Sequence, residues 1–159
     1  MKKLITIGFL LVFFLQAKAQ LNVSLRSNLP YNYALSNIGG YVDSLGNEYA
    51  LVGTFTGLSI VDVTDPSNPI IKFSIPGTNS DWREVKTWQN YAYVTTEGCC
   101  NGLQILNLGY LPDSVPTKFY KGDGAINNQI NTIHALHIED GYCYLFGSNL
   151  FNGAALILD

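Results

Sequence analysis

Charge is scarce in this sequence: only 13% of its 159 residues are Asp, Glu, Lys or Arg. That level excludes the usual helical bundle, which draws heavily on Glu, Lys, Arg and Ala. The scarcer sign is positive, with nine basic residues against twelve acidic ones. A chain of that balance lacks the basic footprint that nucleic acid requires. Cysteine occurs three times, an odd count that argues against a small disulfide-built scaffold, so the core has to come from packing. Also missing are a G-x-S-x-G elbow, a phosphate-binding P-loop and a dinucleotide-binding glycine fingerprint. After residue 15 no apolar run is long enough to span a membrane.

Aromatic residues and glycine are plentiful, with ten Tyr and fifteen Gly. Together with low charge they favour short strands joined by tight turns. The first nineteen residues read differently. Lys2 and Lys3 precede an almost unbroken apolar run, Leu4 to Leu15, and Ala17-Lys18-Ala19 supplies a small-x-small site. That order is a secretory signal peptide, cleaved after Ala19 to leave Gln20 first. The run is shorter than the roughly 20 residues of a spanning helix. Cleavage removes Lys2, Lys3 and Lys18 and leaves six basic residues against twelve acidic, a formal charge of −6.

Three partial repeats follow. The first holds Tyr49-Ala50-Leu51-Val52 and then Gly57-Leu58-Ser59-Ile60-Val61-Asp62. The second holds Tyr91-Ala92-Tyr93-Val94 and then Gly102-Leu103-Gln104-Ile105-Leu106-Asn107. The third holds Tyr142-Cys143-Tyr144-Leu145 and then Gly153 to Asp159. The leading tyrosines are 42 and 51 residues apart, a spacing suited to the four-stranded blades of a β-propeller. The fold class is therefore all-β and β-propeller-like, with about two and a half four-stranded antiparallel blades. The repeats span about 37–77, 80–124 and 131–159, after a lead segment 20–36. The third repeat stops before a fourth strand, which reads as a truncated or incomplete propeller. Sheets are expected to pack through Leu51, Ile60, Val94, Ile105, Leu145 and Ile157. The last sheet is expected to leave Leu145, Leu156 and Leu158 unburied.

Leu58-Ser59-Ile60-Val61-Asp62-Val63-Thr64-Asp65-Pro66-Ser67-Asn68-Pro69 resembles the LVIVD repeat of bacterial surface proteins. With Asn37 to Asp43, Trp82 to Thr87, Tyr91 to Val94 and Glu97-Gly98, the chain from about residue 36 resembles the choice-of-anchor B family. It departs from that pattern at Gly39 and Ala135. The resemblance implies an exported propeller-like domain attached to the cell by a C-terminal anchor, and carries no catalytic residues.

One column of the repeats points to a site. Arg83 stands eight residues before Tyr91, and His134 eight before Tyr142. Both open the first strand of a blade, where residues from different blades converge on one axis. Trp82, Arg83, Glu84 and His134 are thus the candidate ligand-binding set. Trp82 offers a ring to stack on a sugar or aromatic group. Arg83 offers a fork of donors for a carboxylate or sulfate, or else pairs locally and braces the loop. Tyr41 holds the same offset from Tyr49. His134 and His137 are three apart on a strand and point to opposite faces, so no metal is assigned, and no cofactor is expected. Cys99 and Cys100 are either a disulfide between neighbours, a pair of free thiols, or partners of another chain, while Cys143 reads as a buried free thiol.

Two functions compete. The first is a secreted or cell-surface, non-enzymatic binding module whose extracellular ligand, a glycan or a protein, is unknown. The second is a propeller hydrolase or lyase using Arg83, Glu84, Glu97 and His134 at the channel mouth.

Overall fold

The computed structural model describes residues 23–159; the leader read in residues 1–19 and its cleavage site lie outside them. The chain forms three antiparallel sheets. The first runs β1 (Leu35–Val42), β2 (Glu48–Thr54), β3 (Gly57–Asp62) and β4 (Ile70–Pro76) in that order. The second runs β5 (Val85–Trp88), β6 (Tyr91–Val94), β7 (Leu103–Asn107) and β8 (Thr117–Tyr120). The third has β9 (Ala135–Glu139), β10 (Tyr142–Phe146) and β11 (Leu156–Leu158). Among the described residues the helices are three single 3-10 turns of three residues each, and none is long and apolar enough to cross a membrane. The fold is all-β and arranged as a partial propeller.

Local chemistry explains the strand boundaries. Trp88 pairs with Tyr91 and Glu139 with Tyr142, so two-residue turns join β5 to β6 and β9 to β10. Asp140 and Gly141 both adopt positive φ, at 51° and 86°, which suits the right-handed twist of the strands they connect. The Asp65-Pro66 segment is a turn. The Asp65 carboxylate accepts from Ser67 N at 2.9 Å, and Asn68 N donates to Asp65 O at 3.0 Å. The first hairpin is different. Val42 pairs with Glu48, leaving five residues, 43–47, in the connection. Asp43 holds it: Oδ1 accepts from Leu45 N and Asn47 N, and Oδ2 from Asn47 Nδ2 and the Tyr49 hydroxyl.

That longer turn corrects the alignment of Tyr41 with Arg83 and His134. The residue opposite Thr54, at the head of β1, is Leu35. Tyr41 lies at the far end of the strand, where its hydroxyl donates to Asn90 Oδ1 at 3.2 Å.

The sheets stack with their first strands side by side. Asn37 Oδ1 of β1 accepts from Val85 N of β5 at 3.2 Å, and Glu84 Oε2 accepts from Leu136 N of β9 at 2.8 Å. Gly39 sits where β1 meets β5, and a Cβ there would be 3.1 Å from Val85 Cγ1. Alternation along each strand sends one face forward and one back. Tyr49, Leu51, Leu58 and Ile60 of the first sheet pack on Ala92, Val94 and Leu106 of the second. From the other face of the second sheet, Tyr93, Leu103 and Ile105 pack on Leu136, Cys143, Leu145 and Leu156.

Two packing expectations change as a result. Leu145 is fully buried, and Leu156 is 9% exposed, because both point back toward the second sheet. Ile157 pairs with Tyr144 as Ile105 pairs with Tyr93, so it points forward and is 62% exposed. Tyr142 and Phe146 are exposed on that same forward face. The backward face of the first sheet carries Ala50, Val52, Val61 and Val63. The lead segment crosses it, with Tyr31 Oη donating to Ser59 Oγ at 2.9 Å and Ser27 Oγ to Pro66 O at 2.8 Å. An apolar groove of about 600 Å³ remains between them.

Candidate functional site

Three loops meet where the inner strands begin: 77–84 before β5, 95–102 between β6 and β7, and 131–134 before β9. Thr96 and Ile133 form an isolated antiparallel bridge, and Gly102 N donates to Asn131 O at 3.1 Å. Both ends of the middle loop are therefore pinned to the third. It is also held against the first loop, because Asn101 Nδ2 donates to Thr78 Oγ1 at 2.8 Å. Gly98 permits the close approach, since a Cβ there would collide with the Asn79 carbonyl oxygen.

Of the four residues read from the sequence, two form the surface of this rim. The rings of Trp82 and His134 stack, 4.9 Å between centroids and 6° between planes. Trp82 Nε1 donates to His134 O at 3.0 Å, which fixes the indole against the backbone it covers. Both residues remain open to solvent, Trp82 at 46%. His134 Nδ1 lies 2.6 Å from Glu97 Oε1, so a carboxylate joins the stack. Glu97 entered the sequence reading through the family resemblance and the enzymatic alternative, and not as a member of the ligand-binding set. Its place here depends on the bridge between Thr96 and Ile133, which no local pattern announces.

The other two are placed differently. Arg83 is 2% exposed, and two of its three guanidinium nitrogens are engaged internally. Nε donates to Thr54 O at 2.7 Å, and one terminal nitrogen donates to Phe55 O and Thr78 O. Burial pulls its pKa below the usual guanidinium range. An anion-gripping role is thus corrected: the guanidinium is buried, three convergent carbonyls hold two of its nitrogens, and Arg83 ties the β2–β3 turn to the loop before β5. Glu84 is also a brace. It accepts from Leu136 N and pairs with Lys86 Nζ at 2.9 Å.

The structure joins Cys99 and Cys100 in a disulfide, with both residues exposed at the tip of the middle loop. Cys143 is a buried free thiol, its pKa pushed up to about 11 by burial. Among the described residues no group of three or more His, Cys, Asp or Glu is placed to hold a metal ion. His137 faces Glu139 at 3.5 Å, away from His134.

Residues 40–76, most of the first sheet, match the LVIVD repeat family. No curated protein and no solved structure matches the chain.

Proposed function

We propose that this β-propeller-like repeat protein is an exported or cell-surface binding module, non-enzymatic, whose extracellular ligand docks on the rim formed by Trp82, His134 and Glu97. The observation that carries the reading is the exposed Trp82–His134 stack. A large aromatic ring held rigidly by its own indole N–H and left half open to solvent is the kind of group that anchors binding surfaces. The leader read in residues 1–19 supports export, and the LVIVD match over 40–76 supports kinship with surface proteins of the choice-of-anchor B type.

A propeller hydrolase or lyase is the second reading, favoured by the 2.6 Å Glu97–His134 contact. An acid–base pair of that kind needs a nucleophile or a substrate group within hydrogen-bond reach of the imidazole. Glu97 is the ring's one hydrogen-bond partner among the described residues, and both side chains are about half exposed.

The test uses the full chain and its Trp82→Ala variant on an array of glycans and immobilised extracellular proteins. Loss of binding in the variant, with an unchanged melting temperature, supports the reading. Equal binding by the two proteins removes the rim from the function. Turnover of a bound glycan that disappears in His134→Ala favours the enzymatic reading instead.

A further inference from the structure

We propose that the rim takes a neutral sugar ring, stacked on the Trp82–His134 pair and hydrogen-bonded to Glu97, with the disulfide-bearing loop as the adjoining wall. This narrows the ligand of the binding reading above and rests on it.

The chemistry of each group limits what it can hold. The one polar atom of the Trp82 side chain is already donated to His134 O, so the indole has only its ring to offer. A ring surface with no free donor selects a flat, weakly polar partner. One face of a sugar ring, lined by C–H groups, meets that requirement. Glu97 supplies what the indole lacks. Its Oε1 receives His134 Nδ1, while Oε2 has no hydrogen-bond partner among the described residues. A free carboxylate oxygen is an acceptor without a donor, suited to the hydroxyls on the edge of the same sugar.

Charge disfavours the anionic alternative. Arg83, the cation at the site by sequence, is buried and bonded to three backbone carbonyls. Lys86 is paired with Glu84. A uronate or sulfate would therefore approach Glu97 with neither cation turned toward it. A peptide held by its main chain is disfavoured for another reason. Four of the loop amides are engaged: Ser80 N to Phe55 O, Trp82 N to Ser80 Oγ, Gly98 N to Thr96 Oγ1, and His134 N to Phe146 O. Strand-like capture of a peptide needs such donors free.

The disulfide completes the surface. Cys99 and Cys100 are exposed two and three residues after Glu97. They sit on a loop anchored at Thr96, Asn101 and Gly102. Bonded sulfur is polarizable and apolar, which adds dispersion contact beside the carboxylate. It also restricts the loop that positions Glu97.

Calorimetric titration of the full chain tests the assignment, with cellohexaose, laminarihexaose, mannohexaose and chitohexaose as neutral probes and hexagalacturonate as the anionic one. Saturable binding of at least one neutral probe is expected, with none by hexagalacturonate. Affinity should fall by about tenfold or more in Trp82→Ala and in Glu97→Gln, and by several-fold in Cys99→Ser/Cys100→Ser, at unchanged melting temperature. Glu97→Gln should also admit hexagalacturonate weakly, because the repelling charge is gone. Failure of every neutral probe overturns the assignment, as does stronger binding by hexagalacturonate. If an aromatic peptide binds instead and Trp82→Ala abolishes it, the binding reading stands and the sugar falls. If Trp82→Ala alters no binding at all, both fall.

Discussion

The ring of His134 lies parallel to the indole of Trp82, 4.9 Å away, although 52 residues separate them in the chain. The contact exists because the second and third sheets stack with β5 beside β9, bringing the segments before those strands together. Both partners were visible in the sequence as residues at the head of an inner strand. Which neighbours would face outward was not visible.

Arg83 is a structural residue. Arg83→Met removes the donors to Thr54 O, Phe55 O and Thr78 O in a buried setting. Leaving buried carbonyls unpaired is expected to cost about 3 kcal/mol or more. Thermal or urea unfolding should show a large drop in stability. A variant as stable as the parent would return Arg83 to the list of ligand contacts.

Cys143 should be inert in the folded chain. Its thiol is buried and its pKa raised to about 11, so almost no thiolate exists at pH 8. Without a reductant, iodoacetamide is expected to label no cysteine in the native protein and one after unfolding. Mass spectrometry reads the count directly, and native labelling of Cys143 would show that the packing between the second and third sheets is looser than described.

The Asp43 turn gives a pH dependence. Hydrogen bonds from Asn47, and then from Leu45 and Tyr49, hold the Asp43 carboxyl below its ordinary value. A depressed folded-state pKa gives stability that is present above the unfolded value, about 4, and is lost as pH falls through the folded one. Melting temperature should therefore decline below about pH 4, and Asp43→Asn should flatten part of that decline. Tyr49 works in the opposite direction. Burial, and then the Asp43 charge, push its phenol up to about 12. Its contribution is full below about pH 10 and lost as pH rises toward 12. An ultraviolet titration showing Tyr49 ionised near pH 10 would contradict the buried hydrogen bond.

The forward face of the third sheet carries Tyr142, Phe146 and Ile157, all substantially exposed. Apolar surface of that kind promotes association. The 159-residue chain is expected to self-associate in sedimentation velocity runs, and Ile157→Lys with Phe146→Lys to shift it toward monomer. A parent chain that stays monomeric at high concentration would count against this face as an association surface.

The repeat tyrosines and their spacing were enough to give three antiparallel sheets from the residues alone. Tyr41 was misplaced because equal offsets assume equal turns, and the Asp43 turn is five residues long where the others are two. Arg83 and Glu84 looked like ligand contacts because their type and position were legible but their partners were not. The carbonyls of Thr54 and Phe55 and the amide of Leu136 come from neighbouring sheets. Glu97 shows the same limit from the other side. It lies outside the repeat column and reaches the site through the neighbouring Thr96, which bridges to Ile133, 37 residues further along the chain.

Trp82 and Trp88 are the two tryptophans of the chain, so a Trp88→Phe protein reports the rim alone by its fluorescence. Titration with a polysaccharide extract of the cell envelope, with binding followed in parallel by sedimentation, asks whether the ligand seats on Trp82. A saturable change in Trp82 emission that tracks the bound fraction is expected. Binding that saturates by sedimentation while Trp82 emission stays constant would place the ligand elsewhere and contradict docking on the rim.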